Sequence, residues 1–460
     1  MRLLRPDKMD LEVLLGDPRK AVNSMFLPLF LAFAVVEVNQ FVDVYWISGL
    51  GKTYAETIST SAPFYILMMC AGTGVGIGAT STIAFRLGRG DLAKASSIAS
   101  NALILGLALA AASSITLVAL LPTAIGLMGA SDIEEECWGY MLPFILMSPA
   151  LLSQAIVAGC LRGEGAARKS TMVQISAALS NMVLDPLLIY GLGMGISGAG
   201  LATGLAALLA ASIGLGWYVR GKTAVRIDRS SFRPDAGSMR ELLGVGAPKT
   251  VQEFITGTIA LLQRIFIIIA GGTSAVMVYN YPFKYTTLFG LPGKAIENSM
   301  LPVASAAFGK GDLDKMARSF RYSLGLSLGI SLASLATVYA LAEPLMSFLA
   351  YEETMRGVMP ELVSTLRLTV FVIPCIAMKG IASSLLQSMK KAKVPMFFEM
   401  FSGTVRLTLY YMCAYGMLPV DPFQGILYSM VAVHFMNAIC LMTIAVAEMR
   451  LIRRRSETIM

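Results

Sequence analysis

The chain has 460 residues, 56% of them hydrophobic and only 14% charged, with a mean hydropathy of +0.68. Soluble domains carry about 25% charged residues, so this composition excludes an ordinary globular protein and points to a membrane chain. The formal net charge of +8 does not indicate nucleic acid, because the basic residues gather in alternate loops between apolar runs.

The N-terminal stretch MRLLRPDKMDLEVLLGDPRK is charged, and the apolar run after it is too long for a signal-peptide core, so no cleavable signal is expected. A membrane-spanning helix needs about 20 apolar residues. That rule predicts twelve segments, starting near Phe26, Thr57, Ala95, Trp138, Met172, Gly198, Leu242, Val276, Tyr322, Leu362, Pro395 and Gly425. The expected fold is therefore all-α and polytopic.

The first segment carries Asn39, Gln40 and Asp43, which share a helix face because residues three and four apart are neighbours. A charge at bilayer depth costs roughly 2.5–3.5 kcal/mol on insertion scales, so such a residue usually faces a cavity and handles an ion or substrate. Polar gluing of two helices is the plainer alternative. In the second segment, GTGVGIG from Gly72 has neither the strand–helix context nor the GK[ST] of a phosphate loop. Its Gly72/Gly76 and Gly74/Gly78 spacing reads as close helix packing.

The fifth segment repeats the pattern of the first, with Asn181 and Asp185 on one face. Pro186 follows and lacks an N–H, which frees the carbonyl of Met182 beside the carboxylate. GLGMGISGAG then reads as a tight turn into the sixth segment, where Thr203 adds a hydroxyl. Two carboxylates with amide and hydroxyl oxygens form a hard site suited to Na⁺ or a proton rather than a soft metal. If the carboxylates are close they cannot both ionise cheaply, which lets one site alternate between proton, sodium and organic cation.

Loops after even-numbered segments are basic: RLGRGDLAK, LRGEGAARK, the stretch from Val219 to Arg240, FGKGDLDKMAR and MKKAKVP, with RLIRRR at the C-terminus. The opposite loops hold only Lys52 and Arg356, with Arg367 just inside the tenth segment, beside the acidic runs SDIEEE and YEE. The positive-inside rule then puts both termini in the cytoplasm of a multi-pass plasma-membrane protein.

The chain is written twice. LGRGDLAKA from Leu87 returns as FGKGDLDKM from Phe308, and Gly51 returns as Gly272, both at an offset of 221; Leu161 and Leu386 match at 225. Such repeats in transporters mark two lobes around a substrate site, and six helices per half put their axis along the membrane normal. The expected domains are a cytoplasmic N-terminus (1–23), a six-helix lobe (24–221), a cytoplasmic linker (222–238), a second six-helix lobe (239–453) and a tail (454–460). At the offset of 221, Arg264 stands opposite Asp43 and Arg406 opposite Asp185; at 225, Tyr410 takes the latter place. The arginines are either neutralised by Glu253, Glu297 or Glu399, or they form a positive surface attracting anionic or zwitterionic substrates. Glu253, Lys284, Glu37 and His434 are further polar residues in apolar surroundings. The six cysteines form no CxxC pair and there is one histidine, so nothing supports a zinc site or a Cys/His nucleophile. No enzyme is expected.

The segments VDVYWISGLG, LRGEGAARK, NMVLDPLLIYGLGMGISGAGLATG and the paired GRGDLAKA/GKGDLDKM resemble the multidrug and toxic compound extrusion (MATE) family. The likeness runs from Gly16 to the last segment and is closest to the DinF-like prokaryotic branch. It implies an antiporter that exports amphiphilic organic compounds in exchange for H⁺ or Na⁺, without a prosthetic cofactor and as a monomer. Known members of that branch keep the cation site in the N-terminal lobe. Carried over, the site falls on Asp43, Asn181, Asp185 and Thr203, which would also ligate Na⁺. Asn39, Gln40, Glu253, Arg264 and Arg406 are the substrate-pocket candidates. Within the same superfamily a lipid or lipid-linked saccharide flippase is the alternative, which the two arginines favour slightly. A non-transporting receptor or assembly platform has no need of buried Asp43 and Asp185.

Overall fold

A computed structural model describes residues 6–50, 52–127, 131–227, 232–349 and 357–459. Among them all regular structure is helical: α1 (Pro6–Leu15), α2 (Pro18–Ser48), α3 (Lys52–Gly88), α4 (Leu92–Leu127), α5 (Glu134–Leu146), α6 (Ser148–Gly163), α7 (Ala167–Pro186), α8 (Gly195–Val219), α9 (Ala236–Lys310), α10 (Leu313–Ala340), α11 (Ala342–Leu349), α12 (Met359–Thr369), α13 (Val372–Ser388), α14 (Lys393–Ala414) and α15 (Pro422–Ile459). The protein is an all-α polytopic membrane protein, and each of the twelve predicted starts falls in a helix.

Nine of the described helical stretches are long and apolar enough to span, and α5 with α6, bent by 52°, makes a tenth. The segments predicted from Val276 and Pro395 lie in α9 and α14 but fall below that apolarity. The former carries Lys284, Lys294 and Glu297, and the latter Glu399 and Arg406. Gly51 and the YEE run lie outside the described residues, whereas Gly272 breaks α9 with φ 71°, a left-handed conformation that glycine adopts without penalty.

Local chemistry sets the helix boundaries. Asp17 caps α2 by accepting from the backbone N–H of Arg19 (3.0 Å) and Lys20 (3.1 Å), with Pro18 in the first turn. Asp235 caps α9 through Gly237 and Ser238 and pairs with Lys94 at 2.6 Å. The Lys94 ammonium and the Ser238 donors hold the Asp235 carboxyl well below the usual carboxylate range. Asn101 clasps the same stretch, donating to the Arg233 carbonyl (3.2 Å) and accepting from the Asp235 N–H (2.9 Å).

The chain divides into two compact units, Met1–Phe254 with Ser305–Asp312 and Ile255–Ala304 with Leu313–Met460. In the first unit α3 packs on α6, α2 on α7, and α7 on α8. Both glycine rows of GTGVGIG are used. A Cβ on Gly76 would meet the Ala155 carbonyl at 2.8 Å and one on Gly159 the Gly76 carbonyl at 2.3 Å, while Gly74 and Gly78 lie against Gly246 of α9. The hydroxyl of Thr80 donates across this contact to the Gly159 carbonyl at 2.8 Å.

The repeated GRGD and GKGD segments meet inside the first unit. A Cβ on Gly88 would lie 2.0 Å from the Ala306 carbonyl, and one on Gly309 2.0 Å from that of Phe85. Phe85 and Ala306, like Gly88 and Gly309, are related by the repeat offset of 221, so the contact is reciprocal. The Phe85 and Phe308 rings lie beside it, tilted by 44° with centroids 5.9 Å apart. In the second unit α15 packs on α13 and α14, and α13 on α10. Its core joins Ile267, Val276, Val372, Tyr410, Ile426 and Met430.

Candidate cation site

Three helices of the first unit, α2, α7 and α8, deliver one polar cluster into apolar surroundings. Asn39 and Asp43 stand one turn apart on α2, and the Asn39 amide donates to Asp43 Oδ2 at 3.1 Å. The same amide donates to Asn181 Oδ1 on α7 at 2.9 Å, which ties the two helices together. Asn181 in turn donates to Asp185 Oδ1 at 3.0 Å and to the Thr203 hydroxyl of α8 at 3.4 Å. The carboxyl groups of Asp43 and Asp185 are direct neighbours. Asn181 and Asp185 are buried, and Asp43 Oδ1 and Asn39 Oδ1 are buried acceptors that receive no hydrogen bond among the described residues.

Local sequence explains the arrangement. The i, i+4 spacing stacks Asn39 on Asp43 and Asn181 on Asp185. Pro186 withdraws one backbone donor, and the helix loosens into a π-type turn over Leu187–Gly191. Such a cluster of carboxylate, amide and hydroxyl oxygens suits a hard monovalent cation or a proton shared between two carboxyls.

Of the predicted site residues, Asn39, Asp43, Asn181, Asp185 and Thr203 come together. Gln40 does not; its side chain is exposed. Glu253 forms an ion pair with Lys249 at 2.8 Å on α9. Arg264 is exposed and has no ion pair among the described residues. Arg406 belongs to a separate cluster in the second unit, 3.9 Å from Glu399 Oε1. Lys284 sits with its ammonium 6.0 Å from the Tyr281 ring, and His434 lies beside Arg406.

Sequence reasoning missed Tyr65 and Tyr140, which lie near the carboxyl pair and both pack on Phe144 with ring centroids at 5.0 Å. Nothing local marks them, since aromatic residues in apolar helices are ordinary packing. It also missed Lys379, which pairs with Glu399 at 2.9 Å. Here a signal existed: Lys379 interrupts the apolar run IPCIAMKGIASSLL, the same anomaly that exposed Asp43.

The family model MatE matches residues 28–187 and 248–412, the greater part of the chain. The chain belongs to the MATE family. Its members are transporters, so this MATE protein is a membrane transporter and not an enzyme. It is similar to the multidrug export protein MepA of Staphylococcus aureus, 22% identical over 326 residues, 69% of this chain and 71% of MepA. A FAD transporter of Shewanella oneidensis is 23% identical over 368 residues, 77% of this chain and 78% of that protein. The fold matches an outward-facing multidrug resistance MATE transporter of the MOP superfamily with TM-score 0.91 at 23% identity, covering 97% of this chain and 99% of that one. A MOP superfamily transporter from Pyrococcus furiosus, described as having a binding pocket of reversed polarity, matches with TM-score 0.91 at 24% identity and the same coverage.

Proposed function

We propose that the protein is a secondary antiporter of the DinF-like MATE branch. In this reading it exports amphiphilic organic compounds across the plasma membrane in exchange for H⁺ or Na⁺. The observation that carries the reading is the hydrogen-bonded cluster in which Asp43 and Asp185 lie side by side, joined through Asn39 and Asn181. Two adjacent carboxylates hold a cation or a shared proton and lose it when organic substrate or the opposite compartment competes. Inward movement of one positive charge releases about 2.3 kcal/mol per 100 mV, enough to drive export without nucleotide. The cluster is complete within one chain, which supports a monomeric unit of transport. The alternating basic loops support cytoplasmic placement of both termini.

The test is efflux of a fluorescent organic compound from proteoliposomes with Na⁺ and pH gradients imposed separately. At least one gradient should drive efflux, and Asp43→Asn and Asp185→Asn should each lower coupled efflux more than tenfold. Both variants should keep a melting temperature within a few degrees of the parent, because an asparagine retains the acceptor that Asn39 or Asn181 uses. Efflux at the parent rate in either variant would remove that residue from the coupling site. Scrambling of labelled lipid without gradient-driven efflux would favour the flippase reading instead.

A further inference from the structure

The second unit holds a buried ionic cluster whose charges do not cancel. Lys379 of α13 donates to Glu399 Oε2 of α14 at 2.9 Å, and Arg406 stands 3.9 Å from Glu399 Oε1, an oxygen that also accepts from Thr256 at 3.5 Å. Glu399 is almost wholly buried, and the Arg406 side chain is 11% exposed. His434 of α15 completes the group, with Nε2 3.4 Å from Arg406 Nη1 and Nδ1 2.8 Å from the Met430 carbonyl.

The histidine contacts settle its state. A backbone carbonyl only accepts, so Nδ1 carries the proton and donates to Met430. Nε2 then presents its lone pair to the guanidinium, which only donates. His434 is therefore neutral. Two cations share one carboxylate, and the cluster carries a net single positive charge. Arg406 is also short of acceptors. Its guanidinium has five N–H donors, its nearest carboxylate oxygen is at the limit of an ion pair, and its Nε is buried with no acceptor among the described residues. A buried charge without a counter-charge is retained where it meets a partner that arrives from elsewhere.

We propose that Lys379 and Arg406, the latter oriented by His434, form a subsite for the oxyanion, carboxylate or phosphate, of an organic substrate. The planar guanidinium suits bidentate pairing with either group, and the Lys379 ammonium adds a second charge. Glu399 tunes the site by neutralising one of its two cations. This inference rests on the transport reading above but concerns a different unit and a different charge.

The probes are riboflavin and its phosphate FMN, which share a fluorescent ring system and differ by one phosphate. Binding to the purified full-length chain, followed by flavin fluorescence, should be at least tenfold tighter for FMN, with the difference shrinking as salt is added. Lys379→Gln and Arg406→Gln should each lower FMN affinity about tenfold and leave riboflavin unchanged, and Arg406→Lys should restore part of the preference. Glu399→Gln should tighten FMN binding several-fold, a gain that misfolding cannot imitate. Equal binding of the two flavins, no binding of either, or weaker FMN binding in Glu399→Gln would falsify the subsite. Asp43→Asn should lose coupled efflux while keeping the FMN preference, so failure of the transport reading and failure of this one register separately.

Discussion

Asp43 and Asp185 illustrate how a polar residue survives inside an apolar helix: each is held by an asparagine one turn earlier, and Asn39 reaches across to Asn181. Thr203 touches the group only through Asn181 at 3.4 Å and returns its own hydroxyl hydrogen to the Ala199 carbonyl at 3.2 Å. Its oxygen keeps a lone pair for a sodium ion, whereas a proton needs only a carboxylate. Thr203→Val should therefore weaken sodium-driven efflux several-fold and leave proton-driven efflux near the parent level. Equal loss under both gradients would remove Thr203 as a ligand.

Glu164 in LRGEGAARK is a second buried carboxylate, placed just beyond the end of α6. It accepts from the Tyr218 hydroxyl (2.5 Å) and from the backbone N–H of Ala224 (2.8 Å) and Val225 (3.1 Å), so it fastens the chain after α8 to the α6–α7 turn. Burial outweighs these donors and pushes its carboxyl up to about 7 from an ordinary 4.5. A carboxyl whose folded value is raised contributes stability that is complete below its unfolded value and is lost as pH rises through the folded one. Melting temperature should fall between about pH 4.5 and 7 on this account, and Glu164→Gln should flatten that slope. A slope unchanged in the variant would place the titration elsewhere.

Among elements, α3 and α6 approach closely through Gly76 and Gly159. The Gly159 Cβ position lies 2.3 Å from a backbone oxygen, and backbone cannot swing aside as a side chain can. Gly159→Ala should lower stability by about 1–3 kcal/mol, the usual range for an overfilled contact. Gly244→Ala is the control, since nothing lies within 4 Å of its Cβ position. Exchange of a helical glycine for alanine there should stabilise by up to about 1 kcal/mol. Thermal melts of the two variants check both signs. The α14 helix shows the opposite economy: Glu399 and Arg406 make it less apolar than its neighbours, yet both are drawn into ionic contacts.

At the scale of the whole molecule, charge placement sets the expected orientation. Reporter fusions at residue 460 and within the 222–238 stretch should both be active only as cytoplasmic reporters, whereas a fusion in the acidic run at 132–136 should report the outside. A reversed pattern would overturn the inward placement of the termini.

Hydropathy, span positions, the i, i+4 pairs Asn39/Asp43 and Asn181/Asp185 and the glycine rows of GTGVGIG were all legible in the sequence. Each follows from the periodicity of a single helix, and a helix closes its own hydrogen bonds whatever surrounds it. The repeat register was legible only in part. The offset of 221 relates the two sides of the Gly88/Gly309 contact, but in α9 it brings up Arg264, which is exposed, while its neighbour Gln263 is buried and accepts from Tyr410 at 3.4 Å. One residue rotates a helix face by about 100°, so a register error of one exchanges the inside for the outside. Tertiary structure alone decided that Asn39 meets Asn181, that Glu399 is shared by Lys379 and Arg406, and that Tyr65 and Tyr140 meet on Phe144. Those meetings depend on how side chains of distant segments interdigitate where helices cross, and no local pattern encodes a crossing.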